Sequence, residues 1–272
     1  SRNPDIDELG KNKARLIIMN KSDLSDENQN KEWAAYFKKM GYYVVGLDAR
    51  TKTGMKTVTN VVMEACKEKI ERDRRRGILN RPVRAMVIPN VGKSTFINSY
   101  AGKACAKTGN KPGVTKGKQW IRLNKNLELL DTPGILWPKF EDPKAGLNLA
   151  FCGSIRDEIL DTEGLALELL GTLAAEYPTE IEARYKVEVP EKLKMKENAE
   201  TDDEGHAIYD EEEYDEDGFP ISPVLLLLND ICRKRGWILP GKKLDYERAG
   251  RTILDEFRSG LIGHITLEKT EL

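Results

Sequence analysis

Histidine is almost absent from this chain: His206 and His264 are the only two in 272 residues. An imidazole-rich metal site is thereby excluded. Cysteine is little richer, and Cys66, Cys105, Cys152 and Cys232 stand too far apart for the paired spacing of a zinc knuckle or a dithiol redox motif. They are expected to be buried, reduced thiols, and any metal is expected on oxygen ligands. Long apolar runs are missing too. None reaches the roughly eighteen residues of a membrane span, and the first thirty positions carry neither a secretory hydrophobic core nor a twin-arginine signal. The expected location is the cytoplasm. What the chain does have is a hydrophobic share of 39%, enough to fill a core, in a length suited to one large domain or two ordinary ones.

A net charge of −1 hides a strong asymmetry. Residues 188 to 217 hold fourteen acidic side chains against three lysines, a local charge of −11, so the rest of the chain carries +10. The tract from Lys196 to Pro220 reads as a solvated loop or disordered insert. The basic remainder suits a polyanionic partner such as RNA. Arg74-Arg75-Arg76, Arg233-Lys234-Arg235 and Lys242-Lys243 are the candidate phosphate contacts, each weighed against the plainer reading of a solvated helix face.

Hydrophobic periodicity alternates between strand and helix through the first half. Ala14 to Met19 reads as a buried parallel strand. Trp33, Phe37 and Met40 give a helix one apolar stripe, with Gly41 where a C-terminal cap belongs. Tyr42 to Val45 is the next strand, and Val58, Val61, Val62, Ala65 and Ile70 continue a helical period. Val83 to Ile88 then reads as a strand, Lys93 to Tyr100 as a helix, and Lys118 to Leu123 with Leu127 to Leu130 as two strands joined by a tight turn. This order predicts a doubly wound α/β domain with a mostly parallel sheet over 1–140. Beyond about Trp137 only helical periods occur, at Leu165, Leu169, Leu170 and Leu173, at Leu225 to Ile231 and at Ile253 to Phe257. They predict a smaller all-α domain over 141–272.

The loops after these strands carry the chemistry. Pro89-Asn90-Val91-Gly92-Lys93-Ser94-Thr95 lies between a strand and a helix, the context of a P-loop. There Gly92 admits phosphate to the backbone amides, Lys93 reaches the β- and γ-phosphates and Ser94 ligates Mg²⁺; a Ser-capped helix start is the plainer reading. The P-loop spacing requires Gly at position 87, where Val87 stands, as though two residues were missing between Met86 and Pro89. Asn20-Lys21-Ser22-Asp23 follows the first strand. Asp23 can accept from the ring N–H and exocyclic amine of guanine, a donor pair that adenine lacks, while Asn20 braces the loop and the Lys21 stem covers the ring. Asp48 and Ala49 follow the second strand, from where a backbone amide reaches the guanine oxygen; a polar turn is equally compatible. Asp131-Thr132-Pro133-Gly134 closes the last strand with a carboxylate suited to Mg²⁺ and a Gly amide suited to the γ-phosphate, and Thr115 offers Mg²⁺ a second hydroxyl. Ile135 stands where Ras-like switches carry the water-positioning Gln, which predicts slow intrinsic GTP turnover.

The order Asn20 to Asp23, Pro89 to Thr95, Thr115, Asp131 to Gly134, together with Ser1-Arg2-Asn3-Pro4, Gln119-Trp120 and the run from Asp131 to Phe140, resembles the circularly permuted GTPases of the YlqF/YawG group, and most of all its ribosome biogenesis branch. The likeness covers residues 1 to about 187 and resumes near Val224. It implies a P-loop NTPase fold, GTP/GDP and Mg²⁺ as ligands, and a role in assembling the large ribosomal subunit. It further implies an RNA-contacting helical domain and a K⁺ ion at Asn90 that assists catalysis alongside Lys93 and Thr115. It implies as well a strand and a catalytic His upstream of Ser1, so that the present chain is expected to be a catalytically impaired portion. The expected partner is the large subunit or its rRNA, neither DNA nor membrane, with the protein a monomer activated by the subunit. A signalling or transport-linked GTPase with a protein partner, and a non-enzymatic RNA scaffold, are the alternatives.

Overall fold

The apolar run after Lys13 forms strand β1 (Leu16–Asn20), and β2 (Tyr43–Leu47) lies parallel to it, Leu16 opposite Tyr43 and Asn20 opposite Leu47. The computed structural model describes residues 10, 11, 13–79, 81–87, 93–101, 119–131, 143–155, 157–194 and 222–270. Helix α1 (Glu27–Lys39) connects the two strands. Asp26 starts it by accepting from the Gln29 amide at 2.8 Å, and two lysines in its last turn followed by Gly41 at φ +84° end it. The single helix predicted across Val58 to Ile70 is two, α2 (Met55–Ala65) and α3 (Lys67–Arg75), parted at Cys66. Past that point Ile70 is the one apolar residue in a run of charge, too little burial to hold a continuous axis.

Strand β3 (Val83–Val87) runs parallel to β5 (Leu127–Asp131), and β4 (Gln119–Asn124) runs antiparallel to β5 across the turn at Lys125 and Asn126. Among the described residues the strands form two sheets, β1-β2 and β3-β5-β4. One apolar core nonetheless serves both. Val45, Leu47 and Ala49 from the first cluster with Val83, Ile121, Leu127 and Leu129 from the second, along with Val58 of α2 and Phe96 and Ile97 of α4 (Lys93–Ala101). The Thr59 and Tyr100 hydroxyls hydrogen-bond across the two helices.

The chain divides into two compact units, Ser1–Lys139 with Thr266–Leu272, and Phe140–Ile265. The closing segment of the first unit packs on α1: the Asp26 amide donates to Thr266 Oγ1 at 3.2 Å, the Trp33 indole to the Glu268 carbonyl at 2.8 Å, and the Thr270 hydroxyl to Glu32 at 3.0 Å. Part of the aromatic stripe of α1 is thus covered by residues far along the chain.

The second unit is helical: α5 (Pro143–Phe151), α6 (Thr162–Glu176), α7 (Pro178–Tyr185), α8 (Pro223–Arg235) and α9 (Tyr246–Arg258), with short 3₁₀ turns at Asp157–Ile159 and Glu191–Leu193. Leu165, Leu169, Leu170 and Leu173 bury one face of α6, as their spacing predicts. Arg258 closes α5, donating to the carbonyls of Phe151 at 2.8 Å and Ala150 at 2.9 Å while pairing with both oxygens of Asp157. Arg184 grips Glu256 with two hydrogen bonds, at 3.0 and 2.5 Å. Cys232 is buried, and burial with the Asp245 charge pushes its thiol up to about 11. Cys66 is half-buried. Cys152 departs from the buried expectation: it falls just past the last turn of α5 and is exposed, and Cys105 lies outside the described residues.

Candidate functional site

At the end of β1 the chain turns sharply, with Lys21 in the left-handed region at φ +56°. The Asn20–Asp23 loop is then pinned to β2: the Ser22 amide and hydroxyl both donate to the Leu47 carbonyl, at 3.4 and 3.3 Å, and Asn30 of α1 donates to the Ser22 carbonyl at 3.0 Å. Asn20 reaches across to the second loop. Its side-chain oxygen accepts from the Ala49 amide at 3.3 Å, tying the two loops into one rim.

Asp48 faces inward, 6% exposed, and accepts from the Arg50 amide at 2.8 Å. Burial works against its charge, but the Arg50 amide, the Thr51 hydroxyl and the Arg50 guanidinium together hold its carboxyl below the usual carboxylate value. Asp48 therefore anchors its own loop. Asp23 is met by a residue that the motif reading passed over: an Arg50 guanidinium nitrogen lies 2.9 Å from Asp23 Oδ2. The signal for it in the sequence is a cation two positions beyond Asp48.

The rim is set from below by Gly54, at φ +82°, where a Cβ would come 2.6 Å from the Gly46 carbonyl oxygen and 3.0 Å from Leu47 Cβ. Gly54→Ala is expected to lower stability by about 2 kcal/mol through left-handed strain plus overpacking, read as a reduced urea midpoint with an unchanged slope.

The second pair of loops leaves the other sheet. β3 extends through Val87, which pairs with Asp131 at the carboxyl end of β5, so position 87 belongs to the strand and not to a turn. Lys93, Ser94 and Thr95 form the first turn of α4, a helix N-terminus of the kind that receives phosphate. Pro89, Asn90, Val91 and Gly92 lie outside the described residues, as do Thr115, Gly134 and Ile135. In both sheets the candidate loops leave the carboxyl ends of parallel strands, where α/β folds bind ligands. Ser94 and Asp131 are residue types with the hard oxygens that Mg²⁺ takes, and the main chain of Asp131 pairs with Val87, the last residue of the strand before Lys93.

The basic clusters separate in the structure. Arg235 is exposed but engaged within the helical unit: it lies 3.7 Å from Glu256, donates to the Arg184 carbonyl at 3.3 Å and stacks over Tyr185. Lys242 and Lys243 are exposed on the loop between the bridged residues Ile238 and Leu244, next to exposed Ile238 and Leu239. Arg233 pairs with Asp230 at 3.0 Å, and Arg74, Arg75 and Arg76 are exposed around the end of α3.

An α/β core with an Asn-Lys-x-Asp loop on one parallel strand pair and a strand–loop–helix of P-loop sequence on the other defines a GTPase G domain with its motifs in permuted order. The family described as 50S ribosome-binding GTPases matches residues 87–186. Ribosome biogenesis GTPase A of Bacillus cereus is 38% identical over 100% of this chain and 82% of its own length, and that of Priestia megaterium is 38% identical over 98% and 84%. GNP-bound YlqF from T. maritima is similar in fold, with a TM-score of 0.53 at 25% identity, covering 94% of this chain and 82% of that one. The chain belongs to the ribosome biogenesis GTPase A (YlqF) family. It is a GTP-hydrolysing enzyme, and guanine nucleotide is its ligand.

Proposed function

We propose that the chain assists assembly of the large ribosomal subunit, binding rRNA in a GTP-dependent way. The observation that carries the nucleotide half is the Asn20–Ala49 bond, which braces the loop bearing Asp23 against the second loop at the ends of β1 and β2. In this reading residues 1–140 hold the nucleotide. Asp23 accepts from the two guanine donors, Lys21 and Ser22 flank the ring, and the Ala49 amide meets the guanine oxygen beside the anchoring Asp48. The amides from Asn90 to Gly92 and the helix start at Lys93, Ser94 and Thr95 cradle the phosphates. Gly134 meets the γ-phosphate. Ser94, Thr115 and Asp131 hold Mg²⁺, which when bound neutralises charge on the phosphate oxygens, and Asn90 holds K⁺. Residues 141–272 supply the RNA surface, with Lys234, Lys242 and Lys243 as its exposed cations.

Eight residues separate Gly134 from Pro143, where the helical unit's first helix starts, so the γ-phosphate contact and the RNA domain are coupled along the chain. GTP docks that domain for RNA and hydrolysis releases it. Phosphate release should be measured with GTP and ATP, in potassium and in sodium, with and without large subunits. The expected result is a slow, GTP-selective rate that the subunit and potassium both raise. Equal turnover of ATP, a fast rate without the subunit, or equal subunit affinity with GDP and a non-hydrolysable GTP analogue would contradict the proposal.

A further inference from the structure

Asp23 must present both carboxylate oxygens to read guanine, because the base offers two parallel donors, the ring N–H and the exocyclic amine. One of those oxygens, Oδ2, receives an Arg50 guanidinium nitrogen at 2.9 Å. The chemistry of the two partners is the same. A guanidinium and the N–C–N edge of guanine are both planar groups that set paired N–H donors against a carboxylate. An ionised carboxylate oxygen has two lone pairs, so the two partners compete where the guanidinium holds the one that faces the base.

Arg50 also has somewhere to go. Its own amide is fixed to Asp48 Oδ1 at 2.8 Å, and its Nε already lies 3.6 Å from the same oxygen. Asp48 is buried and held ionised by its loop, so a guanidinium that leaves Asp23 finds a second anionic partner without moving its backbone. The Arg50 side chain is 55% exposed and Asp23 36%, which leaves room for that swing.

We infer that Arg50 is an intramolecular competitor of the guanine base: it holds Asp23 until guanine displaces it onto Asp48, and so sets how fast and how tightly nucleotide enters. The inference rests on the assignment of Asp23 as the base reader. Arg50 is a specificity-loop residue acting through Asp23, not a catalytic residue.

The test is a double-mutant cycle on the full chain with fluorescently labelled GDP, using Arg50→Ala, Arg50→Met, Asp23→Ala and the Arg50→Ala/Asp23→Ala pair. A half-exposed ion pair predicts that either Arg50 substitution speeds association and tightens binding by about two- to five-fold. The gain should shrink in high-salt buffer, where the competing pair is screened, and vanish in the Asp23→Ala background. A purely structural role for Arg50 would weaken binding in both variants and in both backgrounds. That outcome, or an Arg50 effect that persists without Asp23, overturns the inference. If Asp23→Ala alone leaves GDP binding intact, the base-reading assignment itself has failed; the single-variant arm therefore separates the two failures.

Discussion

Asp23→Ala should lower GDP affinity by about a hundred- to a thousand-fold, the largest binding effect expected of any single substitution in the base loop. The carboxylate supplies two charge-assisted hydrogen bonds, each worth roughly 1.5–3 kcal/mol, and its loss strands two donors of the base. Loss of both bonds, taken near the lower end of that range because the site is open to water, corresponds to about 3–4 kcal/mol, hence two to three decades in Kd. Asp23→Asn should behave differently. A carboxamide can donate to the 2-carbonyl of xanthine, so XDP should be recovered where GDP is lost. Calorimetric titration of both variants with GDP, XDP and ADP checks this, and ADP should bind weakly to all forms. The loop geometry makes the change local, because Ser22, Asn20 and Asn30 hold the backbone independently of the Asp23 side chain.

Glu256→Ala should cost the helical unit about 3 kcal/mol. Glu256 is 8% exposed and pairs with Arg184 through two hydrogen bonds, with Arg235 3.7 Å away. Truncation leaves two guanidinium groups facing a site with no anion, which costs more than the pair itself contributes. Burial opposes the Glu256 charge, but the Arg184 hydrogen bonds prevail and hold its carboxyl below the ordinary 4.5. The sign follows from linkage. A depressed folded value means the stabilisation is fully present above pH 4.5 and is lost as pH falls from there through the depressed value. Urea unfolding followed by helical circular dichroism should therefore show wild-type stability declining in that acid range, and Glu256→Gln should remove this component of the decline. A wild-type and Glu256→Gln pair with identical acid dependence would show that the ion pair contributes nothing.

Much of the first unit was legible because its signals are local. The apolar run read as a strand over Ala14 to Met19 forms one over Leu16–Asn20, and the turn at Lys21 and Gly41 past α1 each specify their own conformation. Features that depend on distant partners were not legible. The stripe of Trp33 and Phe37 looks like a core face, yet α1 has no fully buried residue and Trp33 finds its hydrogen bond 235 positions later, at Glu268. Arg235 reads as one member of a basic run, but it is engaged by Glu256 and by the ring of Tyr185. Arg50 escaped for a related reason: a motif read as letters names the groups that touch a ligand, whereas Arg50 touches the group that reads it. The break at Cys66 was visible only as a weakening of hydrophobic period, which marks where packing stops but not where the backbone bends.

In the proposed site Asp23 and Lys93 grip opposite ends of one nucleotide. Titration of Asp23→Ala and Lys93→Ala with GDP and with GMP tests it most directly, because GMP keeps the base and lacks the β-phosphate. GDP should bind poorly to both variants, while GMP should be weakened by Asp23→Ala and indifferent to Lys93→Ala. Undiminished GDP binding by either variant, or a GMP response to Lys93→Ala as large as that of GDP, would contradict a single shared site.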